Sequence, residues 1–137
     1  MKWIYGRQDW KTLERGLENC YLLTNGLGGF SSLTMTGAVA RNDHSVFMSC
    51  TKAPNHRINM IHRMKEELDI GESKYVLSTQ EFADGTKEEG YRYLTEFSFE
   101  ILPSWRYLIN GIEIEKEIVM AQGSNQIAVN YHLKNRG

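Results

Sequence analysis

Asn110-Gly111 stands between two runs of alternating side chains, and no other dipeptide constrains the chain as strongly. Both residues tolerate positive φ, which the two central positions of a type I′ turn require, and that turn matches the twist of the strands it joins. Trp105 to Ile109 and Ile112 to Met120 are therefore predicted to form an antiparallel hairpin. In its second arm the side chains mostly alternate apolar and charged through Ile112, Glu113, Ile114, Glu115, Lys116, Glu117 and Ile118. That period of two turns one face inward and the other to water. Gln126 to Leu133 repeats the alternation after the turn signal Gly123-Ser124-Asn125, which implies a neighbouring third strand.

The chain upstream has the same character. From Tyr21 onward, short runs of β-branched and aromatic residues are separated by glycine-containing turns. Lys74 to Phe82 and Tyr91 to Ile101 are predicted as a hairpin through Ala83-Asp84-Gly85-Thr86, with Lys87-Glu88-Glu89 as a solvated loop. Thr95, Phe97, Phe99 and Ile101 would share a face, and Pro103 would stop that strand because it cannot donate to a ladder. Arg57 to Ile70 fits a helix through Ile58, Ile61, Met64 and Leu68 and a strand through Ile58, Met60 and His62; it is read as strand. Only Asp9 to Leu17 reads as a helix, short, with Asp9 as N-cap and Gly16 near its end. The expectation is an all-β, antiparallel β-sandwich or part of one, with at most one short helix.

Composition narrows the partners. Sixteen basic against 17 acidic residues give a net charge of −1, too little field to draw in a polyanion, so nucleic acid is not expected. Apolar runs fall far short of the roughly 20 residues that span a bilayer, and the N-terminus turns polar too early for a secretory signal. No membrane is expected, and a cytoplasmic location follows. Cys20 and Cys50 lack metal-ligand spacing and are read as buried small hydrophobes, with a disulfide as the less favoured alternative. His56 and His62, six apart, match no zinc pattern and are read as surface or interface residues; neither metal nor cofactor is expected.

Two segments could carry chemistry. Leu22 to Phe30 holds three glycines in four positions, Gly26, Gly28 and Gly29, whose local physics is a tight turn. The segment has neither phosphate-loop spacing nor a following helix. Arg41, Asn42, Asp43 and His44 then cluster a cation, an amide, a carboxylate and an imidazole, which either hydrogen-bond sugar hydroxyls or cap a polar loop locally. Glycoside hydrolysis needs two carboxyl groups facing each other across the scissile bond. The acidic groups Glu66-Glu67, Glu88-Glu89 and Glu113, Glu115, Glu117 fall instead where solvated loops or outward strand faces would place them.

Tyr21-Leu22-Leu23-Thr24-Asn25-Gly26-Leu27-Gly28-Gly29-Phe30-Ser31-Ser32, followed by Thr34, Thr36-Gly37 and Arg41, resembles the entry motif of the N-terminal domain of prokaryotic glycogen debranching enzymes. That motif is an aromatic-led Leu-Leu-Thr-Asn-Gly-Leu-Gly-Gly-aromatic run, then Thr-x-x-Gly, then Thr-Arg-basic-Tyr-His-Gly. Arg41 and His44 fall on its Arg and His, whereas Asn42, Asp43 and Ser45 replace its basic residue, tyrosine and glycine. The similarity continues more weakly through Pro54 and Arg57 to Leu133. The resemblance implies residues 1–137 as a single supersandwich-like domain or an incomplete N-terminal segment of one, packed against a C-terminal helical toroid of the same polypeptide that holds the catalytic carboxylates. It implies hydrolysis of α-1,6 branch points by the whole enzyme and no catalytic residue here. On this reading Asn25, Arg41 and His44 bind α-glucan, and Gly26, Gly28 and Gly29 shape the turn.

Two rival readings remain. In a stand-alone carbohydrate-binding module, Trp3, Trp10, Trp105 and Tyr107 would form a stacking platform, unless they are core aromatics. In a purely structural segment, the chain would set interdomain geometry. Exposed strand edges also predict homo-oligomers through strand pairing.

Overall fold

The computed structural model describes residues 2–41, 43–52 and 56–135. Asn42, Pro54 and the side chains of His56 and Arg57, which enter the sequence reading, lie outside the described residues. The chain is an all-β, sandwich-like domain of antiparallel strands. One sheet has five strands, in the order β1 (Trp3–Gly6), β10 (Leu94–Phe99), β11 (Pro103–Ile109), β12 (Ile112–Met120) and β13 (Ile127–Asn135). The facing sheet orders β2 (Leu23–Thr24), β3 (Phe30–Ser32), β4 (Ser45–Lys52) and β5 (His56–Ile61). Two small ribbons complete the set: β6 (Glu67–Ile70) with β7 (Ser73–Val76), and β8 (Thr79–Glu81) with β9 (Lys87–Glu89). Among the described residues, no helix is long and apolar enough to cross a membrane.

The Asn110-Gly111 hairpin forms in the expected register, with Ile109 opposite Ile112 and φ of 48° and 80° at the two turn residues. β13 pairs along the whole of β12. Inward side chains of β10 to β12, among them Phe97, Trp105, Tyr107, Ile114 and Ile118, meet Tyr21, Leu33, Met35 and Val46 from the other layer. Aromatic contacts knit the seam: Tyr21 lies 6.1 Å from Phe97 and edge-on to Trp105 at 5.6 Å. Burying such large rings contributes roughly 1.5–3 kcal/mol each, so this seam dominates the apolar energy.

Several expectations are corrected. The helix is not one run from Asp9 to Leu17: a 3-10 turn, Arg7–Trp10, precedes α1 (Leu13–Gly16). Thr12 caps α1, its Oγ1 accepting from the Arg15 N–H at 3.2 Å, while the Asp9 carboxylate turns back to the Gly6 N–H at 2.9 Å. Lys74 to Phe82 and Tyr91 to Ile101 do not pair. The first run breaks at Leu77 and Ser78, whose backbones bond to Glu66 and Gly90, and Tyr91 starts inside a 3-10 turn (Gly90–Arg92). Lys87-Glu88-Glu89 is a strand rather than a solvated loop. A bulge between Leu94 and Glu96 resets the alternation, so Leu94 and Phe97 are buried and Ile101 is exposed. Pro103 opens β11, the first strand position, where its missing donor costs no ladder bond. Cys50 is buried but Cys20 is exposed, and both are free thiols.

Glu66 departs furthest from its sequence assignment. It is buried, with its Oε2 2.8 Å from Nζ of the equally buried Lys116 and accepting a hydrogen bond from the Tyr131 hydroxyl. The Lys116 ammonium also lies 4.9 Å over the Trp105 ring. Removing one member of such a pair strands the other charge away from water, a loss of about 3–5 kcal/mol, whereas exchanging both for apolar groups is often neutral. Lys116→Met is therefore expected to lower the urea midpoint sharply, and Lys116→Met combined with Glu66→Leu to restore most of it. Equal loss in the single and double variants would show that the pair is not what the site depends on.

Candidate functional site

The glycine-rich turn between β2 and β3 is built on Asn25, which is fully buried. Its Oδ1 accepts from the backbone N–H groups of Leu27 at 2.9 Å and Gly29 at 3.1 Å. Its Nδ2 donates to the Ser124 carbonyl at 3.2 Å and to Asn125 Oδ1 at 3.0 Å. A carboxamide offers two acceptor sites and two N–H donors, so all four directions are occupied internally. The turn leaves no room for a side chain at Gly29. A Cβ on Gly29 would lie 2.7 Å from the Asn25 amide and 2.9 Å from the Met48 carbonyl, and Gly28, at φ +88°, packs against Cys50. Gly26 also holds positive φ, at +83°.

In the second segment, Thr34 and Ala38 close a turn with a backbone bond of 3.0 Å and a side-chain bond of 2.9 Å, and Trp105 donates its indole N–H to the Met35 carbonyl at 3.0 Å. The chain then wraps around His44, which is 1% exposed. Its Nδ1 accepts from the backbone N–H groups of Ala40 at 2.9 Å and Arg41 at 3.2 Å. Only the neutral ring with its proton on Nε2 can do this, and Nε2 has no hydrogen-bond partner among the described residues. Burial holds the His44 pKa below its usual range; Asp43 partly opposes the shift and Arg41 adds to it.

The two segments meet along a groove of about 500 Å³ on the outer side of β2 and β3. Thr24, Gly26, Gly28, Phe30 and Ser32 line it together with Asp43. Among the sequence candidates, Asn25 and His44 lie beneath this surface as supports of the two loops, and Arg41 is exposed on the loop that carries Asp43. None of the three lines the groove itself. Thr24, Phe30 and Ser32 were not singled out from sequence, although the alternation Leu22 out, Leu23 in, Thr24 out already places Thr24 on the surface.

Over its residues 19–137 this chain matches the family described as glycogen debranching enzyme N terminal. It belongs to that family. Comparison with curated proteins and with solved structures returned no match. The family segment begins just after α1, yet β1 lies before it and pairs with β10, so residues outside the match complete the sheet.

The carboxylates of this family member do not form a facing pair across the groove. Glu96, Glu113 and Glu115 surround Arg106 at 3.2–3.5 Å on the outer face of the five-stranded sheet, and Glu88 is tied to Arg63 and to Ser78. Among the described residues no group of His, Cys, Asp and Glu is arranged to hold a metal ion. The four-aromatic platform is also not formed. Trp10, Trp105 and Tyr107 are core residues whose rings fill the seam, and only Trp3 is exposed.

His44 gives the loop a pH dependence of definite sign. Its native pKa lies below 6.5, so the folded state takes up a proton less readily than the unfolded chain. The stability that neutral His44 contributes is complete above about pH 6.5 and falls as pH drops below that value towards the lowered native pKa. Urea midpoints measured from about pH 8 down to about pH 5 are expected to fall more steeply for the native chain than for His44→Gln. Parallel curves would remove His44 from the account.

Proposed function

We propose that this N-terminal domain forms one wall of the α-glucan cleft of a glycogen debranching enzyme, with the acid and base of hydrolysis on a separate catalytic domain of the same polypeptide. The observation that carries this reading is the groove that joins the glycine turn to Asp43. Its lining combines the exposed Thr24 with its hydroxyl, the Asp43 carboxylate and the Phe30 ring, a set suited to a neutral ligand with hydroxyl edges and C–H faces, while the Ser32 hydroxyl below them donates to the Tyr21 carbonyl at 2.7 Å. Arg41, exposed on the same loop, adds directional donors. Asp43 stands where the family motif has tyrosine, so here hydrogen bonding to hydroxyls replaces a stacking contact at that position.

Packing against a catalytic domain is supported by the opposite flank. Ile58 and Met60 on β5 and Tyr131 and Leu133 on β13 are exposed along the open side of the sandwich. Patches of this kind mark interaction surfaces.

In the intact enzyme, Asp43→Asn and Arg41→Ala are expected to raise KM for a branched glucan by roughly three- to tenfold each, the worth of one or two lost hydrogen bonds, with kcat little changed. Asn25→Ala is expected to lower the melting temperature instead. Unchanged KM in both groove variants, measured by release of reducing ends, would refute the wall assignment.

A further inference from the structure

A second cleft, of about 260 Å³, opens where the edge strand β1 meets the entry to β2. Its walls are aromatic: Trp3, Tyr5, Phe97 and Phe99 from the five-stranded sheet, with Tyr21 and Leu22 opposite. Register explains the cluster, since Trp3 pairs directly with Phe99 and Tyr5 with Phe97, so four rings project from two neighbouring strands. Tyr5 stacks on Phe97 at 6.2 Å and Tyr21 on Phe99 at 6.1 Å, which fixes the rings from behind. Trp3 remains 55% exposed at the lip and Leu22 59%. Trp3 therefore offers an open ring face at the lip of a cleft whose inner rings are already packed on one another.

Leu22 lines both this cleft and the groove that Asp43 also lines. A ligand lying along Thr24 and Phe30 therefore passes from hydroxyl and carboxylate contacts onto aromatic faces without leaving the surface. Ring faces are negative and attract the C–H face of a pyranose, whose hydroxyls point sideways to water. We propose that the Trp3 cleft is a second carbohydrate subsite, which takes a glucose unit from the same α-glucan chain that occupies the Asp43 groove. The proposal rests on the wall reading above and adds to it the aromatic contact and the direction of the chain. It also gives the residues before the family match a function, because Trp3 and Tyr5 lie ahead of residue 19.

Cys20 supplies a built-in reporter. It is exposed and lines the cleft, whereas Cys50 is buried and responds only to unfolding. In the full-length polypeptide, iodoacetamide labelling of Cys20, read as peptide mass, is expected to slow several-fold with saturating maltoheptaose while Cys50 stays unlabelled. By calorimetry, Trp3→Ala should weaken maltoheptaose binding by roughly three- to tenfold, the scale of one aromatic contact, and abolish the protection of Cys20. Trp3→Tyr should retain most of both, which separates a lost platform from a misfolded edge.

If Trp3→Ala binds like the native chain while Asp43→Asn binds more weakly, the second subsite is wrong and the wall reading stands. If maltoheptaose neither binds nor protects Cys20, both are wrong. Protection that rises with protein concentration in the absence of sugar would mean that a second copy covers the cleft, and would overturn the proposal.

Discussion

The Asn25 carboxamide is the contact that fixes how the two layers sit at the groove end of the molecule. Its acceptor oxygen shapes the glycine turn of one sheet, and its donor nitrogen holds the turn between β12 and β13 of the other, 99 and 100 residues away in sequence. Two further bonds run the same way: the Gly123 N–H donates to the Asn25 carbonyl at 2.8 Å, and Gln122 Nε2 to the Thr24 carbonyl at 2.6 Å. A fully satisfied, buried amide couples its partners, because losing one of them leaves a buried polar group unpaired. One of the glycines is a consequence of that amide. Gly29 must be bare because a Cβ there would come within 2.7 Å of the carboxamide nitrogen.

A second polar tie acts midway along the sheet. Lys116 occupies an inward position of β12, directly opposite Tyr131 on β13, and reaches Glu66 in the segment that leads from β5 to β6. Burying an ion pair adds little net stability over an apolar pair, but it discriminates strongly against any register that separates the charges. A shift of β12 by one residue would turn Lys116 to water and leave Glu66 alone inside. The pair thus selects one alignment of β12 and β13 against the loop beneath them. The Asn110-Gly111 turn fixes the register of β12 on its other side, against β11.

Much of this fold is legible in the sequence because local chemistry and tertiary burial agree there. The hairpin and the third strand follow from a turn pair and an alternation of period two. What was not legible depended on partners distant in sequence. Thr12 rather than Asp9 caps α1 because Asp9 is claimed by Gly6. The run from Lys74 to Phe82 splits because Leu77 bonds to Glu66 and Ser78 to Gly90. Glu66 read as solvated because nothing near it in sequence announces Lys116, although the period of β12 sets that lysine in line with Ile114 and Ile118. At the groove, the motif residues were visible but the depth of their side chains was not, since burial of Asn25 and His44 depends on loops that fold over them.

That depth changes what the motif means physically. Asn25 and His44 both accept hydrogen bonds from backbone N–H groups of their own loops, the arrangement of residues that hold a surface in shape rather than of residues that touch a ligand. Rigid supports beneath and variable side chains above form a workable division for a binding wall, because ordering entropy is lost on folding rather than on binding. Asp43, where this chain departs from the family motif, can then differ without disturbing the turn beside it. On this view, replacing the family's tyrosine by Asp43 alters what the groove contacts while leaving the scaffold set by Asn25 and His44 intact, and sequence identity at the supports carries information about fold rather than about substrate.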